Sequence, residues 1–478
     1  MSEWEAVIGL EVHAQLKTEA KLFSSAPNAF GGEPNSQTTE VDIGLPGVLP
    51  VINERAVELA VRAALGLECE IQPESRFARK HYFYPDLPKG YQISQYDEPY
   101  ALGGAVPAQI DGELVKFPLT RIHMEEDAAK AKHDGRADNR SEVNLNRAGC
   151  PLIEIVSEPD LRTPEQAGAY LRGLRASLRA LEVSGADMEK GQFRCDANVS
   201  VRPRGQAEFG TKVELKNLNS FRFVEKAIAY EIERQVELIE DGGEVQQETR
   251  HWDESSGKSL PGRSKEDADD YRYFPDPDLA PLRLDGALVE RIRGELPELP
   301  HQKRERFQAE FGIPAADAAT LAEDREVAQL FEACAAELGD AKRAASFILK
   351  NVLRLLGDEN VALSGTALTA SRLVELLRLV QDGTLTPSSS REVFQEMVKS
   401  GEDPVAIMRA RGLEAVSDIG ELEALAQGVI DANPKQLEQF RGGETKLINF
   451  FIGQVMKQTQ GKASPDVVRE VMQRLLGS

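Results

Sequence analysis

The sequence predicts an α+β protein in three parts. An antiparallel sheet with covering helices forms a cradle domain over residues 1–294, an all-α connector covers 295–402, and a small all-α tail covers 403–478. Two observations carry this. Short segments before residue 295 alternate strictly between apolar and polar side chains, the period of a strand with two unlike faces. After Leu296-Pro297-Glu298-Leu299-Pro300, whose prolines interrupt regular structure on both sides, Leu-, Ala- and Glu-rich helical periodicity takes over.

The first strand is Val7 to Leu16, with Glu11, His13 and Gln15 on one face and Ile8, Leu10, Val12 and Leu16 on the other. Thr163-Pro164-Glu165-Gln166 reads as an N-cap, an N1 proline and a capping-box glutamine, and Leu171, Leu174, Leu178 and Leu181 supply the buried stripe of the helix that follows. The second alternating segment, Arg194 to Arg202, sets Arg194, Asp196, Asn198, Ser200 and Arg202 against Cys195, Ala197, Val199 and Val201. The third, Thr211 to Leu215, sets Lys212, Glu214 and Lys216 against Val213 and Leu215, and a helix of roughly Phe223 to Leu238 follows. Helices covering one face of such strands leave the other open as a cradle. An ordinary half-buried strand alternates in the same way. What distinguishes these strands is that their polar positions hold carboxylates, an imidazole, an amide and cations.

Beyond residue 295, Asp382-Gly383 to Ser388-Ser389-Ser390 is one turn-rich break, and Ser400-Gly401-Glu402-Asp403-Pro404 is the next. Short helices then follow, and the last carries Val467, Val468, Val471, Leu475 and Leu476 on its inner side.

Composition excludes several classes. No apolar run reaches the length of a membrane span, and the start MSEWEAVIGLEVH has no basic segment of an export signal. Four cysteines, Cys69, Cys150, Cys195 and Cys334, lie far apart with no C-x-x-C pair, which suits a reducing cytoplasm and neither a zinc site nor a disulfide framework. Cys150 fits a buried small hydrophobe better than a nucleophile, since no base accompanies it. A formal net charge of −22 disfavours coating nucleic acid by bulk attraction, so any such binding is local and shaped.

No familiar nucleotide motif is complete. Gly257-Lys258-Ser259 resembles the end of a P-loop, but Trp252 stands where its first glycine belongs. What is present suits a hard divalent cation. Glu11, His13, Glu125 or Glu126, and Glu214 offer oxygen ligands and one nitrogen, the mixture expected for magnesium or manganese. Magnesium recruits substrate phosphates, so this donor set points to phosphoryl transfer. By alternation Glu126 falls with Thr120, Ile122 and Met124 on the less polar side, where a carboxylate must be paired or metal-bound. The loop from Lys80 through Tyr84 to Lys89 and Tyr91 could stack a base, and Tyr271-Arg272-Tyr273-Phe274-Pro275 reads as a fixed loop beside the site.

Taken together, GLEVHAQL, KHYFYPDLPKGYQISQ, RIHMEEDAAK, NRAGCPLIEIVSEPD, RCDANVSVRP, VELKNLNSFR and DDYRYFPDPDL resemble, in this order, the B subunits of aspartyl/glutamyl-tRNA amidotransferases. The resemblance runs the whole chain and implies a YqeY-like tail. It implies that ATP phosphorylates the side-chain carboxylate of glutamate or aspartate misattached to glutamine or asparagine tRNA, and that ammonia then displaces the phosphate. The ammonia would come from the amidase, or A, member of the complex, which a small C member braces. Magnesium ligands would be Glu11, His13, Glu126 and Glu214, with Glu125 and Asp196 as weaker candidates. Arg194 and Asn198 would orient phosphate or carboxylate, and Lys80 and Lys89 would line the ammonia path. The cradle would hold the tRNA acceptor end, and Lys435, Arg441, Lys446, Lys457 and Lys462 of the tail would touch its elbow. The archaeal glutamyl-only counterpart carries a large inserted domain that this sequence lacks. The alternative is a tRNA-binding or assembly subunit without chemistry, whose carboxylates are structural.

Overall fold

A computed structural model describes residues 3–133, 141–262, 271–359, 361–415, 419–459 and 462–476. Its contacts divide the chain into two units, residues 1–302 and 303–478. The first unit holds nine strands that matter for the site: β1 (Trp4–Gln15), β2 (Ala78–His81), β3 (Tyr91–Ser94), β4 (Glu113–Glu126), β5 (Pro151–Ser157), β6 (Phe193–Pro203), β7 (Val213–Lys216), β8 (Thr249–Asp253) and β9 (Lys258–Pro261). Among the described residues they belong to one thirteen-stranded sheet, in the order β9, β8, β7, β6, β1, β5, β4, β3, β2.

The expected antiparallel sheet is in fact mixed. β7 and β8 run parallel, with Glu214 opposite Thr249 and Lys216 opposite His251, while the other pairs along this path are antiparallel. The helix between the two strands supplies the long crossover that a parallel pair needs.

The helices of this unit that bear on the sheet strands of the site include α1 (Glu54–Gly66), α2 (Pro164–Ala180) and α3 (Phe221–Glu240). α2 starts as its sequence predicts. The Thr163 hydroxyl accepts from the Gln166 amide, Pro164 sits at the first turn, and the Gln166 side chain accepts from the Arg162 amide at 2.7 Å. α3 starts at Ser220, which caps the Phe223 amide. Leu171, Leu174 and Leu178 of α2 and Val224 and Ile228 of α3 share one core with Ile8, Leu10 and Val12 of β1 and Ala197 and Val199 of β6.

That core fixes the orientation of every polar side chain opposite it. Ile8, Leu10 and Val12 are fully buried, each worth about 1.5–3 kcal/mol relative to exposure. A one-residue slip of β1 would expose all three and bury Glu11 and His13 in their place.

In the second unit, Phe307 to Leu413 form one core and Leu422 to Leu476 another. Ile407 and Met408 of the helix Pro404–Ala410 lie in the former, so that helix packs with the connector rather than with the tail.

Candidate active site

Strand register brings the polar side chains into rows. Across β6, β1, β5 and β4 the residues Arg194, His13, Glu154 and His123 stand opposite one another in turn. The next row reads Asp196, Glu11, Val156 and Arg121. Opposed residues share a face, so the two rows form one polar surface on the side of the sheet away from α2 and α3.

His13, Glu125 and Glu154 are the tightest group there, with ligand atoms all within 4.8 Å of one another. His13 Nε2 lies 3.1 Å from Glu125 and 3.4 Å from Glu154. His123 Nε2 approaches the same Glu154 carboxylate at 3.3 Å. Burial disfavours a charged His13, but hydrogen bonds and charge from Glu125 and Glu154 win and raise its pKa to about 10. Burial likewise works against charge on Glu154, and the two imidazoles overcome it and hold the carboxyl well below the usual range.

Glu11 lies in the neighbouring row with a different balance. Its carboxylate accepts from the Asn198 amide at 2.9 Å. Burial and the nearby charges of Glu154, Glu214 and Asp196 raise its pKa. Lys216 bridges Asp196 at 2.8 Å and Glu214 at 3.1 Å, and the Thr249 hydroxyl donates to Glu214 at 2.7 Å.

Beside Glu11 opens a cavity of about 300 Å³ lined by Val7, Gly9, Glu11, Val156, Asn198, Phe209 and Lys212. Gly9 sits in the middle of β1, where the missing side chain leaves room above the strand.

The structure departs from the expected ligand set at Glu126. Its carboxylate pairs with the Lys89 ammonium and accepts from the Ile93 amide at 3.0 Å. Alternation along β4 turns it to the side of Met124, and Glu125 joins His13 instead. Lys80 lies over the Tyr271 ring at 4.8 Å, and Lys89, beside its Glu126 partner, lies over Tyr91 at 5.5 Å. Arg194 pairs with Asp127 at 2.9 Å, which leaves Asn198 as the donor turned toward Glu11.

Sequence reasoning missed Glu154 and His123. The signal for Glu154 is its place as the single charged residue in Pro151–Ser157, and for His123 its two-residue step from Glu125. Cys150 is buried, and that burial pushes its thiol up to about 12, as an inert core cysteine requires.

An aromatic wall borders the His13 group. Tyr96 stacks on Tyr273 at 5.3 Å and meets His123 edge-on at 6.5 Å. Tyr273 follows Arg272, whose φ of +45° is a strained conformation for a residue with a side chain. In the tail, Lys435, Arg441, Lys446 and Lys457 are exposed and Lys462 is half-buried. No described helix is long and apolar enough to cross a membrane.

Comparison with known proteins agrees with this layout. Residues 6–290 match the GatB/GatE catalytic domain and residues 329–476 the GatB domain. The chain belongs to the GatB/GatE family. It is 50% identical over 477 residues to the B subunit of the aspartyl/glutamyl-tRNA(Asn/Gln) amidotransferase of Solidesulfovibrio magneticus, covering 100% of both chains. It is 51% identical over 481 residues to the protein of the same name from Anaeromyxobacter dehalogenans, covering 100% of this chain and 99% of the relative. The GatB/GatE catalytic match spans β1 to β9, and so includes every strand that carries the polar surface.

Proposed function

We propose that this chain is the amidating subunit of a tRNA-dependent amidotransferase. It phosphorylates the side-chain carboxylate of Glu-tRNA(Gln) or Asp-tRNA(Asn) with ATP and passes the activated acyl group to ammonia. The observation that carries this is the continuity of one polar surface, from the cavity at Gly9 through Glu11 and Asn198 to His13, Glu125 and Glu154.

Two carboxylates and an imidazole on adjacent strands fit magnesium or manganese, and His13, Glu125 and Glu154 would hold the ion, with Glu11 and Glu214 facing a second or shared position. Such an ion supplies neutralising charge to the phosphates. The chain's own groups do the positioning. The cavity at Gly9 receives the nucleotide base against Val7 and Phe209, Lys212 at its rim offers a donor to phosphate, and Asn198 orients the Glu11 carboxylate beside it. A carboxylate is a poor acyl donor and an acyl phosphate a good one, so phosphorylation activates it for ammonia.

The relatives are named as B subunits, which supports a complex of several subunits; we infer that its other members are an amidase, the A member, that releases ammonia from glutamine, and a small C member. The Lys89–Glu126 pair and Lys80 then belong to the ammonia path, and the five tail cations to the tRNA elbow, by shape and backbone contact.

The test is phosphate release and amide formation by the purified chain with magnesium-ATP, glutamyl-tRNA(Gln) and concentrated ammonium, with and without the two partners. Product that requires the charged tRNA and is lost in Glu125→Gln supports the reading. Tight tRNA binding with no product, even with the partners, leaves a binding protein whose carboxylates are structural.

A further inference from the structure

We propose that Arg121 is the anion-binding group for the phosphoryl unit that this site transfers, an assignment that rests on the reading above and adds a residue to it. One charge at this surface is unspent. Other arginines near this surface are paired with carboxylates: Arg194 and Arg147 share Asp127, Arg202 pairs with Glu5, and Arg79 with Asp276 and Asp278. Arg121 stands among carboxylates in a chain of net charge −22, yet among the described residues none pairs with it. Its Nε is buried without a hydrogen-bond partner, and its contact is the Tyr96 ring, 4.5 Å from the guanidinium carbon. A stacked ring orients a guanidinium without using its N–H donors, so the fork is held in place and free to bind.

Its position is the second observation. Arg121 stands opposite Val156, which lines the cavity and in turn stands opposite Glu11. Two residues further along the same strand face is His123, which holds Glu154, and Tyr96 touches both Arg121 and His123. Arg121 therefore stands one strand beyond the cavity wall at Val156 and two residues from His123, which holds the Glu154 carboxylate of the His13 group.

The chemistry gives one anion to both steps. A carboxylate oxygen of the aminoacyl group attacks the γ-phosphorus of ATP, the bond from that phosphorus to the bridging oxygen breaks, and ADP leaves with the electron pair. The nitrogen lone pair of ammonia then attacks the acyl carbon, the bond from that carbon to the phosphate oxygen breaks, and phosphate leaves while a nitrogen proton passes to solvent. The phosphoryl oxygens remain negative throughout, and a planar guanidinium matches two of them at once.

The experiment uses the assembled amidotransferase with ammonium, comparing wild type, Arg121→Ala and Arg121→Lys. The readouts are tRNA-dependent phosphate release, kcat and KM for glutamyl-tRNA(Gln), Mn2+ binding by electron paramagnetic resonance, and thermal melting. Arg121→Ala is expected to lose about 10²–10³-fold in kcat, the scale of removing one transition-state donor, while Mn2+ binding and melting hold. Added guanidinium ion is expected to restore Arg121→Ala by about tenfold or more and to leave Arg121→Lys unchanged, because lysine still fills the space but offers no fork. A kcat for Arg121→Ala close to wild type overturns the assignment, as does a loss that guanidinium cannot restore and that comes with weaker Mn2+ binding and a lower melting point. An inactive wild-type complex overturns instead the reading on which the assignment stands, and removes both.

Discussion

Around His13 carboxylates meet imidazoles, while around Glu11 they meet one another. Glu125 and Glu154 are held below the usual carboxylate range by His13 and His123, although burial works against them. Glu11, one row away on the same sheet face, is pushed up by burial and by Glu154, Glu214 and Asp196, and the hydrogen bond from the Asn198 amide opposes them. A folded protein gains from the first arrangement and loses from the second. Acids kept together at a cost are the mark of a site that waits for positive charge. The His13 corner is balanced by its own imidazoles, and the Glu11 corner, where Lys216 pairs with Asp196 and Glu214, would be relieved by further positive charge.

The largest effect is expected from removing donors at the His13 corner. His13→Ala and Glu125→Gln are each expected to lower tRNA-dependent phosphate release by about 10²–10³-fold. Mn2+ binding, followed by electron paramagnetic resonance, should weaken in step. Glu126→Gln provides the contrast from the next residue, because its carboxylate is spent on Lys89 and the Ile93 amide. Equal loss of Mn2+ binding in Glu125→Gln and Glu126→Gln would contradict the division of labour between the two.

Thr249 sharpens the other corner. Its hydroxyl holds one oxygen of Glu214, and Val keeps its shape while removing the donor. Phosphate release by Thr249→Val should fall about 10-fold, at the lower end of what outer partners of metal-binding groups contribute, and Thr249→Ser should recover it. A Ser variant as poor as Val would mean that packing of β8, and not the hydrogen bond, is what Glu214 needs.

The first two alternating segments are strands in the structure and the third is one from Val213 on, because period two with a buried apolar face admits one register. The N-cap at Thr163 is equally plain, since a cap, an N1 proline and a capping glutamine are local chemistry. Three features of the site are less accessible. Glu154 belongs to a strand that is apolar on both sides of it, so its role depends on a neighbour, His13, that lies far away in the sequence. Glu125 and Glu126 both read as donors until pairing shows which one turns toward His13. The parallel pairing of β7 and β8 depends on where the chain returns after α3, and no residue pattern announces that.

Stability should separate the corners by sign. In the ion-free protein Glu11→Gln relieves repulsion and is expected to raise the melting temperature, by about 1 kcal/mol or a few degrees. Glu154→Gln removes the partner of two imidazoles and is expected to lower it. Measured by calorimetry after chelation, shifts of the same sign would show that the corners do not differ in the way their electrostatics state.

The subtlest test is the pH dependence of that ion-free stability. His13 has a folded pKa of about 10 against 6.5 when unfolded, so the folded state holds its proton more tightly. The stabilisation is therefore complete below pH 6.5 and declines as pH rises toward 10, which should appear as a melting temperature that falls across this window. A divalent ion competes with that proton for the same nitrogen, and its binding must release one. Titration of Mn2+ near pH 7.5 in buffers of different ionisation heat should report about one proton released per ion. A His13→Gln variant should abolish both the slope and the release, whereas Glu11→Gln should keep them. Proton release that survives in His13→Gln would locate the titrating group elsewhere, and would leave His13 a bystander to the carboxylates beside it.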